Sequence, residues 1–92
     1  MIRAFKCSDT ERLHKGFFVK RFSGITEPAR RRLLLLDAAL SLNDLAAIRG
    51  NRLEALLGDR KGQHSIRINS QWRICFRWAD GQAVDVELVD YH

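Results

Sequence analysis

The 92-residue chain lacks the features that would place it in a membrane, in a disulfide-knit scaffold or in an array of domains. No run approaches the roughly 18 consecutive apolar residues of a membrane-spanning helix. The opening MIRAFKCSDTERLHKG has no apolar signal core, so a soluble, unprocessed protein is expected. The two cysteines, Cys7 and Cys75, lie far apart and in no metal-ligand spacing. A disulfide framework and a zinc site are therefore both excluded, and a reducing cytoplasm is the expected location. There is no repeat, no low-complexity stretch and no linker, so residues 1–92 are read as one domain. A chain of this length buries only about 60–65% of its unfolded surface. That leaves little room for a deep closed pocket, so chemistry belongs on an open face or in a shallow groove.

Positive charge is what the chain has in excess. Lys and Arg number 16 against 11 Asp and Glu, for a net +5. Most of the excess falls before residue 63; residues 63–92 carry three arginines and four acids. A basic balance on so short a chain suits either an anionic partner such as nucleic acid or an inert basic surface. Most of the basic residues are Arg, whose planar fork matches phosphate.

Hydrophobic periodicity divides the chain in two. IRAF is a short β-like opening. SDTERLHKG follows as a helix, with Ser8 or Asp9 as cap and Gly16 as stop. FFVKRFSG is ambiguous. TEPARRRLLLLDAALSLNDLAAIRGN carries the strongest helical pattern. Thr26 caps it, Pro28 sits in its first turn, and Leu33, Leu36, Ala39, Leu40 and Leu42 share an apolar stripe. Asn43 or Asp44 caps a short further helix ending at Gly50. From residue 63 the period becomes two. His64, Ile66 and Ile68 share one strand face, as do Trp72, Ile74, Phe76 and Trp78, and Val84, Val86 and Leu88. Asn69-Ser70 and Asp80-Gly81 supply the turns. The pattern predicts an α+β fold: helices first, then a small twisted antiparallel sheet whose apolar face they cover. IRAF is available as a further strand, at an edge or in the centre.

Candidate functional residues lie on the other sheet face and at the C-terminus. Gly58 and Gly62 bracket Asp59-Arg60-Lys61, which reads either as a phosphate-contacting loop or as an ordinary polar turn. Arg67, Asn69, Arg73 and Arg77 share the open face with Asp85 and Glu87. Cross-strand ion pairs explain Arg77 with its acidic neighbours. Arg67 has no acid on its own strand, and an arginine-rich sheet with aromatic side chains nearby suits single-stranded RNA. His64 reads as a satisfied, partly buried histidine, His14 as surface, Trp72 and Trp78 as core, and Cys75 as a packing residue. The chain ends Asp90-Tyr91-His92. This is either a frayed terminus or the means of metal-free RNA cleavage. In the second case a base would take the proton from a ribose 2′-hydroxyl, cations would hold the phosphate, and an acid would protonate the departing oxygen.

GDRKGQHSIRINSQWRICFRW followed by a terminal VELVDYH resembles the HigB-like toxins of bacterial toxin–antitoxin systems, within the RelE/ParE superfamily. MIRAFKCSDTERL and GNRLEALLGDR extend the likeness over nearly the whole chain. The resemblance implies ribosome-dependent cleavage of messenger RNA in the decoding site, with no metal and no cofactor. It also implies a HigA-like helix-turn-helix antitoxin, and contact with operator DNA only through the toxin–antitoxin complex. By position it implies catalytic roles for Asp90, Tyr91, His92 and Arg73, and a phosphate-binding role for Arg60. Some family members carry a lysine and an arginine where this chain has Leu57 and Asn69. Lys61 and Arg67 are the available replacements, with Asn69 kept as an RNA contact. Two other readings stand beside this one: a non-catalytic toxin of the same superfamily that inhibits gyrase, and a plain nucleic-acid-binding module.

Overall fold

The computed structural model describes residues 1–91. Three α-helices, α1 (Ser8–His14), α2 (Thr26–Ala38) and α3 (Leu42–Ala46), precede a four-stranded antiparallel sheet. Its strands are β1 (Glu54–Ala55), β2 (His64–Arg67), β3 (Trp72–Ala79) and β4 (Gln82–Asp90), in the order β1-β2-β3-β4. The expected three-strand meander is β2 to β4, and β1 adds one short edge.

The other edge is closed by the N-terminal segment. Ile2 and Phe5 bridge Ala83 and Val86 in parallel with β4, through Arg3 N–H to Ala83 O at 2.8 Å and Lys6 N–H to Val86 O at 3.0 Å. Further along β4 the Thr10 hydroxyl oxygen takes over, accepting from Leu88 N–H at 3.0 Å. The outer hydrogen-bonding groups of β4 are thus used by the N-terminal segment and then by α1, which blunts an otherwise adhesive strand edge.

The helix ends differ from the sequence expectation in detail. Neither Ser8 nor Asp9 caps α1; Cys7 holds that position without a side-chain bond. Its far end is as expected, with Gly16 and Phe17 N–H donating back to Leu13 and Arg12 in a Schellman closure. Thr26 lies inside α2 and donates its hydroxyl to Phe22 O at 3.0 Å. The cap of α3 is Ser41, which forms a capping box with Asp44. The chain turns extended at Ala39, so Leu40 leaves the apolar stripe and is 83% exposed.

The core lies between the helices and one face of the sheet. Ala29, Leu33 and Leu36 of α2 and Leu13 of α1 meet Ile66, Ile74, Phe76, Val86 and Leu88. Trp72 meets Phe22 edge-on at 5.5 Å, and Trp78 packs against Phe76. The even alternation expected in β4 fails at one place. Asp85 adopts a left-handed conformation (φ 53°) at a bulge opposite the Cys75–Arg77 stretch of β3. The extra residue flips the phase of the strand. Ala83 therefore fills the core opposite Trp78, and Val84 stands on the open face opposite Arg77. The Asp80-Gly81 hairpin is as expected: Ala79 pairs with Gln82, and both turn residues have positive φ.

Candidate functional site

The strand register puts two rows of side chains on the sheet face away from the helices. Arg67, Arg73 and Val89 form one row; Ser65, Cys75 and Glu87 form the next. Two residues along a strand span roughly 6.6 Å, which sets the separation of the rows.

Arg73 is the best-fixed charge on this face. Its Nε donates to Ser65 Oγ at 2.7 Å, and one terminal nitrogen donates to Arg52 O at 2.8 Å. Glu54 of β1 lies 3.6 Å from that same nitrogen. The Tyr91 ring sits 5.9 Å from the guanidinium carbon, within cation–π range. The side chain is only 12% exposed, held by these contacts. Ser65 is fully buried beneath it. The cross-strand pairing open to Arg73 in the sequence, with Asp85 or Glu87, is not the one formed; its acid comes from β1.

The second row has a different centre. Glu87 is 17% exposed, with Arg60 at 3.8 Å and Lys6 at 3.4 Å from its Oε2. Arg60 also donates to Gln63 Oε1 at 3.0 Å. Beneath these charges lies Cys75, fully buried. Burial pushes its thiol pKa up from the ordinary value, and Glu87 adds to the rise against the pull of Arg60, Arg73 and Lys6. The group is therefore a neutral floor to the site and not a nucleophile.

The other candidates occupy the margins. Arg67 stands opposite Arg73 and donates to Asn69 O at 3.0 Å. Asn69 works within the β2–β3 turn, where its Oδ1 accepts from Gln71 and Trp72 N–H, each at 2.8 Å. Lys61 is exposed on the loop after Arg60. Gly62 in that loop is favoured by its φ of 92°, and the Arg77 guanidinium packs close above it. Arg77 forms the ion pair expected of it, with Asp85 at 3.6 Å. Asp90 pairs opposite Trp72 in the register and accepts from the Gln71 amide at 3.1 Å. Tyr91 continues the chain past β4 and is tied by its N–H to Gln71 O. The structure thus brings Arg73, Tyr91, Arg60 and Arg67 to one face, whereas Asp90, opposite Trp72, alternates to the other side of β4. His92 lies outside the described residues.

Two histidines depart from expectation. His14 is half-buried against Phe5 and not a surface residue, and His64 stacks on Phe76. Among the described residues the Nδ1 of each is buried without a hydrogen-bond partner, so His64 is partly buried as expected but not satisfied at that nitrogen.

Sequence reasoning did not single out Ser65 or Lys6 as members of the site, and it placed Glu87 on this face only as an ion-pair partner of Arg73 or Arg77. Ser65 carried a usable signal, since it shares a strand face with Arg67. Lys6 carried none, because its place depends on parallel pairing between the chain's first residues and its last strand.

Comparison with known proteins gives likenesses over most or all of the chain. Residues 5–92 match the family described as RelE-like toxin of type II toxin–antitoxin system HigB. Toxin HigB-1 of Vibrio cholerae is 46% identical over 66 residues, covering 72% of this chain and 70% of that one. Endoribonuclease HigB of Proteus vulgaris is 33% identical across the full length of both chains. Among solved structures, the YoeB–YefM complex from Staphylococcus aureus is similar with a TM-score of 0.60. That match covers 100% of this chain and 98% of the other at 17% identity, a likeness of fold.

Proposed function

The chain belongs to the RelE-like HigB toxin family of type II toxin–antitoxin systems, and on that footing we propose that its open sheet face cuts messenger RNA within the ribosomal decoding site. It is an endoribonuclease toxin, in keeping with its full-length relative, and an antitoxin is its partner. The finer reading is ours. The antitoxin is a HigA-like helix-turn-helix protein, operator DNA is reached only through the complex of the two, and toxin and ribosome meet in the cytoplasm.

The observation that carries the reading is the Arg73–Tyr91 pair. A guanidinium fixed by Ser65 and the Arg52 carbonyl stands 5.9 Å from the Tyr91 ring. A donor held before substrate arrives needs no reorganisation when charge develops on a phosphate. In the proposed step, a base removes the proton of a ribose 2′-hydroxyl. The 2′-oxygen attacks the adjacent phosphorus, the bond to the 5′-oxygen breaks, and an acid protonates that oxygen. The products are a 2′,3′-cyclic phosphate and a 5′-hydroxyl, with no metal or cofactor needed to balance the step. Asp90, Tyr91 and His92 supply the base and acid; Arg73 holds the phosphate, and Arg60, Lys61, Arg67 and Asn69 guide the strand. An open face positions RNA poorly by itself, so the ribosome provides the alignment.

Induction in cells with primer extension on messages tests this reading. Wild-type protein is expected to produce cuts confined to translated frames, and His92→Gln to produce none at equal protein level. Growth inhibition without any message cuts would favour gyrase inhibition. Neither inhibition nor cuts would leave a plain binding module.

A further inference from the structure

Glu87 is an awkward residue for an RNA-binding face. It sets a carboxylate among cations that would otherwise all be available to phosphate. Its Oε2 is buried and accepts no hydrogen bond among the described residues. The two cations that neutralise it stand at 3.4 and 3.8 Å, well beyond the roughly 2.7–2.9 Å of a charge-assisted hydrogen bond. The carboxylate gathers Lys6 and Arg60 without locking either one.

Lys6 is built to serve a second anion. Its backbone is pinned to β4 by the N–H bond to Val86 O at 3.0 Å. Its side chain is 57% exposed, so the ammonium keeps donors facing solvent. It shares with Arg60 the row of the open face that holds Glu87. Arg73 is rooted one pair further along β3 and turns its Nε to Ser65 of that same row, so the three cations are set along one line across the strands.

We propose that Lys6 and Arg60 form a second phosphate subsite, taking the phosphate next to the one held by Arg73, with Glu87 as the internal anion that gathers the two cations in the free protein. The proposal rests on the reading of the open face as an RNA-cleaving site and assigns a new residue to it. A phosphate oxygen entering between Lys6 and Arg60 gains short, charge-assisted bonds and displaces only long ion pairs. The face stays net positive throughout, because Lys6, Arg60 and Arg73 outnumber Glu87.

The competing account makes Lys6–Glu87 a staple that holds the N-terminal segment to β4 and nothing more. The two accounts separate in the salt dependence of binding. Each phosphate contact to a single strand contributes about 0.7 to the slope of log affinity against log salt. The probe is a 2′-O-methyl RNA oligonucleotide, which has no attacking hydroxyl and therefore reports binding apart from cleavage. With the full chain, Lys6→Ala is expected to lower the slope by about 0.7, Lys6→Arg to restore it, and Glu87→Gln to raise affinity. An unchanged slope in folded Lys6→Ala, or equal loss in the Ala and Arg variants, would overturn the subsite. So would failure of the wild type to bind the probe at low salt while still cutting messages on ribosomes. Loss of message cutting with the slope change intact would instead overturn the catalytic reading and leave the subsite standing.

Discussion

The two faces of β3 are written in the same eight residues and follow different rules. Toward the helices, Ile74 and Phe76 are fully buried and the flanking Trp72 and Trp78 pack on the core. Each gains from contact with any well-shaped apolar neighbour. Toward the open side, Arg73, Cys75 and Arg77 depend on particular partners: Ser65 and Arg52 for Arg73, the surrounding charges for Cys75, Asp85 for Arg77. The core face is set by alternation, which tolerates substitution by shape. The open face is set by individual atoms brought from β1, β2, β4 and the N-terminal segment. Stability should therefore be concentrated on one side of the strand and catalysis on the other.

The largest expected effect breaks the core side. Phe76→Ala should cost about 3–5 kcal/mol of folding stability, read by denaturant unfolding. Its residual activity should track the folded fraction. A stable Phe76→Ala with lost activity would mean that the core face also serves catalysis. Next, Ser65→Ala removes the hydroxyl that orients Arg73. Bonds to charged groups are worth about 1.5–3 kcal/mol, and most of this should appear in kcat on programmed ribosomes. A loss confined to melting temperature would reduce Ser65 to a structural role.

Asp85→Asn sharpens the contrast from below. The ion pair with Arg77 is about half-exposed on both sides, and asparagine tolerates the same left-handed backbone. The unfolding free energy should change by less than about 1 kcal/mol. The smallest effect concerns the two thiols. Burial raises the Cys75 pKa, so in native protein at neutral pH an alkylating reagent should modify the half-buried Cys7 well before Cys75. The sign for stability follows. A raised thiol pKa contributes stability that is complete below the ordinary thiol value and is lost as pH rises through the folded one. Unfolding scans at alkaline pH should show that loss in wild type and less of it in Cys75→Ala.

The same contrast explains how far the sequence could be read. The α+β order, the β2–β4 meander, the Asp80-Gly81 turn and the Trp72–Trp78 face follow from local period and turn chemistry. The phase of β4 was legible from Val86 onward but not before Asp85, where Val84 and Ala83 exchange faces, because a bulge with a non-glycine left-handed residue leaves no mark in an alternating string. Leu40 was misplaced for a related reason: a helical stripe does not announce where the helix stops. Within the site, Arg73 and Tyr91 stood out by spacing and by family likeness. Lys6 and the cation partners of Glu87 stayed hidden because they arise from pairing between the chain's first residues and its last strand.

The central claim is that Arg73 stabilises charge developing on the scissile phosphate, and single-turnover cleavage of a ribosome-bound message tests it most directly. Loss of one fixed donor of this kind costs about 2.7–4 kcal/mol, a rate lower by roughly 10²–10³-fold. Arg73→Ala, verified as folded by its unfolding transition, should show that loss with ribosome binding largely kept. Cleavage at the wild-type rate by the folded variant would contradict the account.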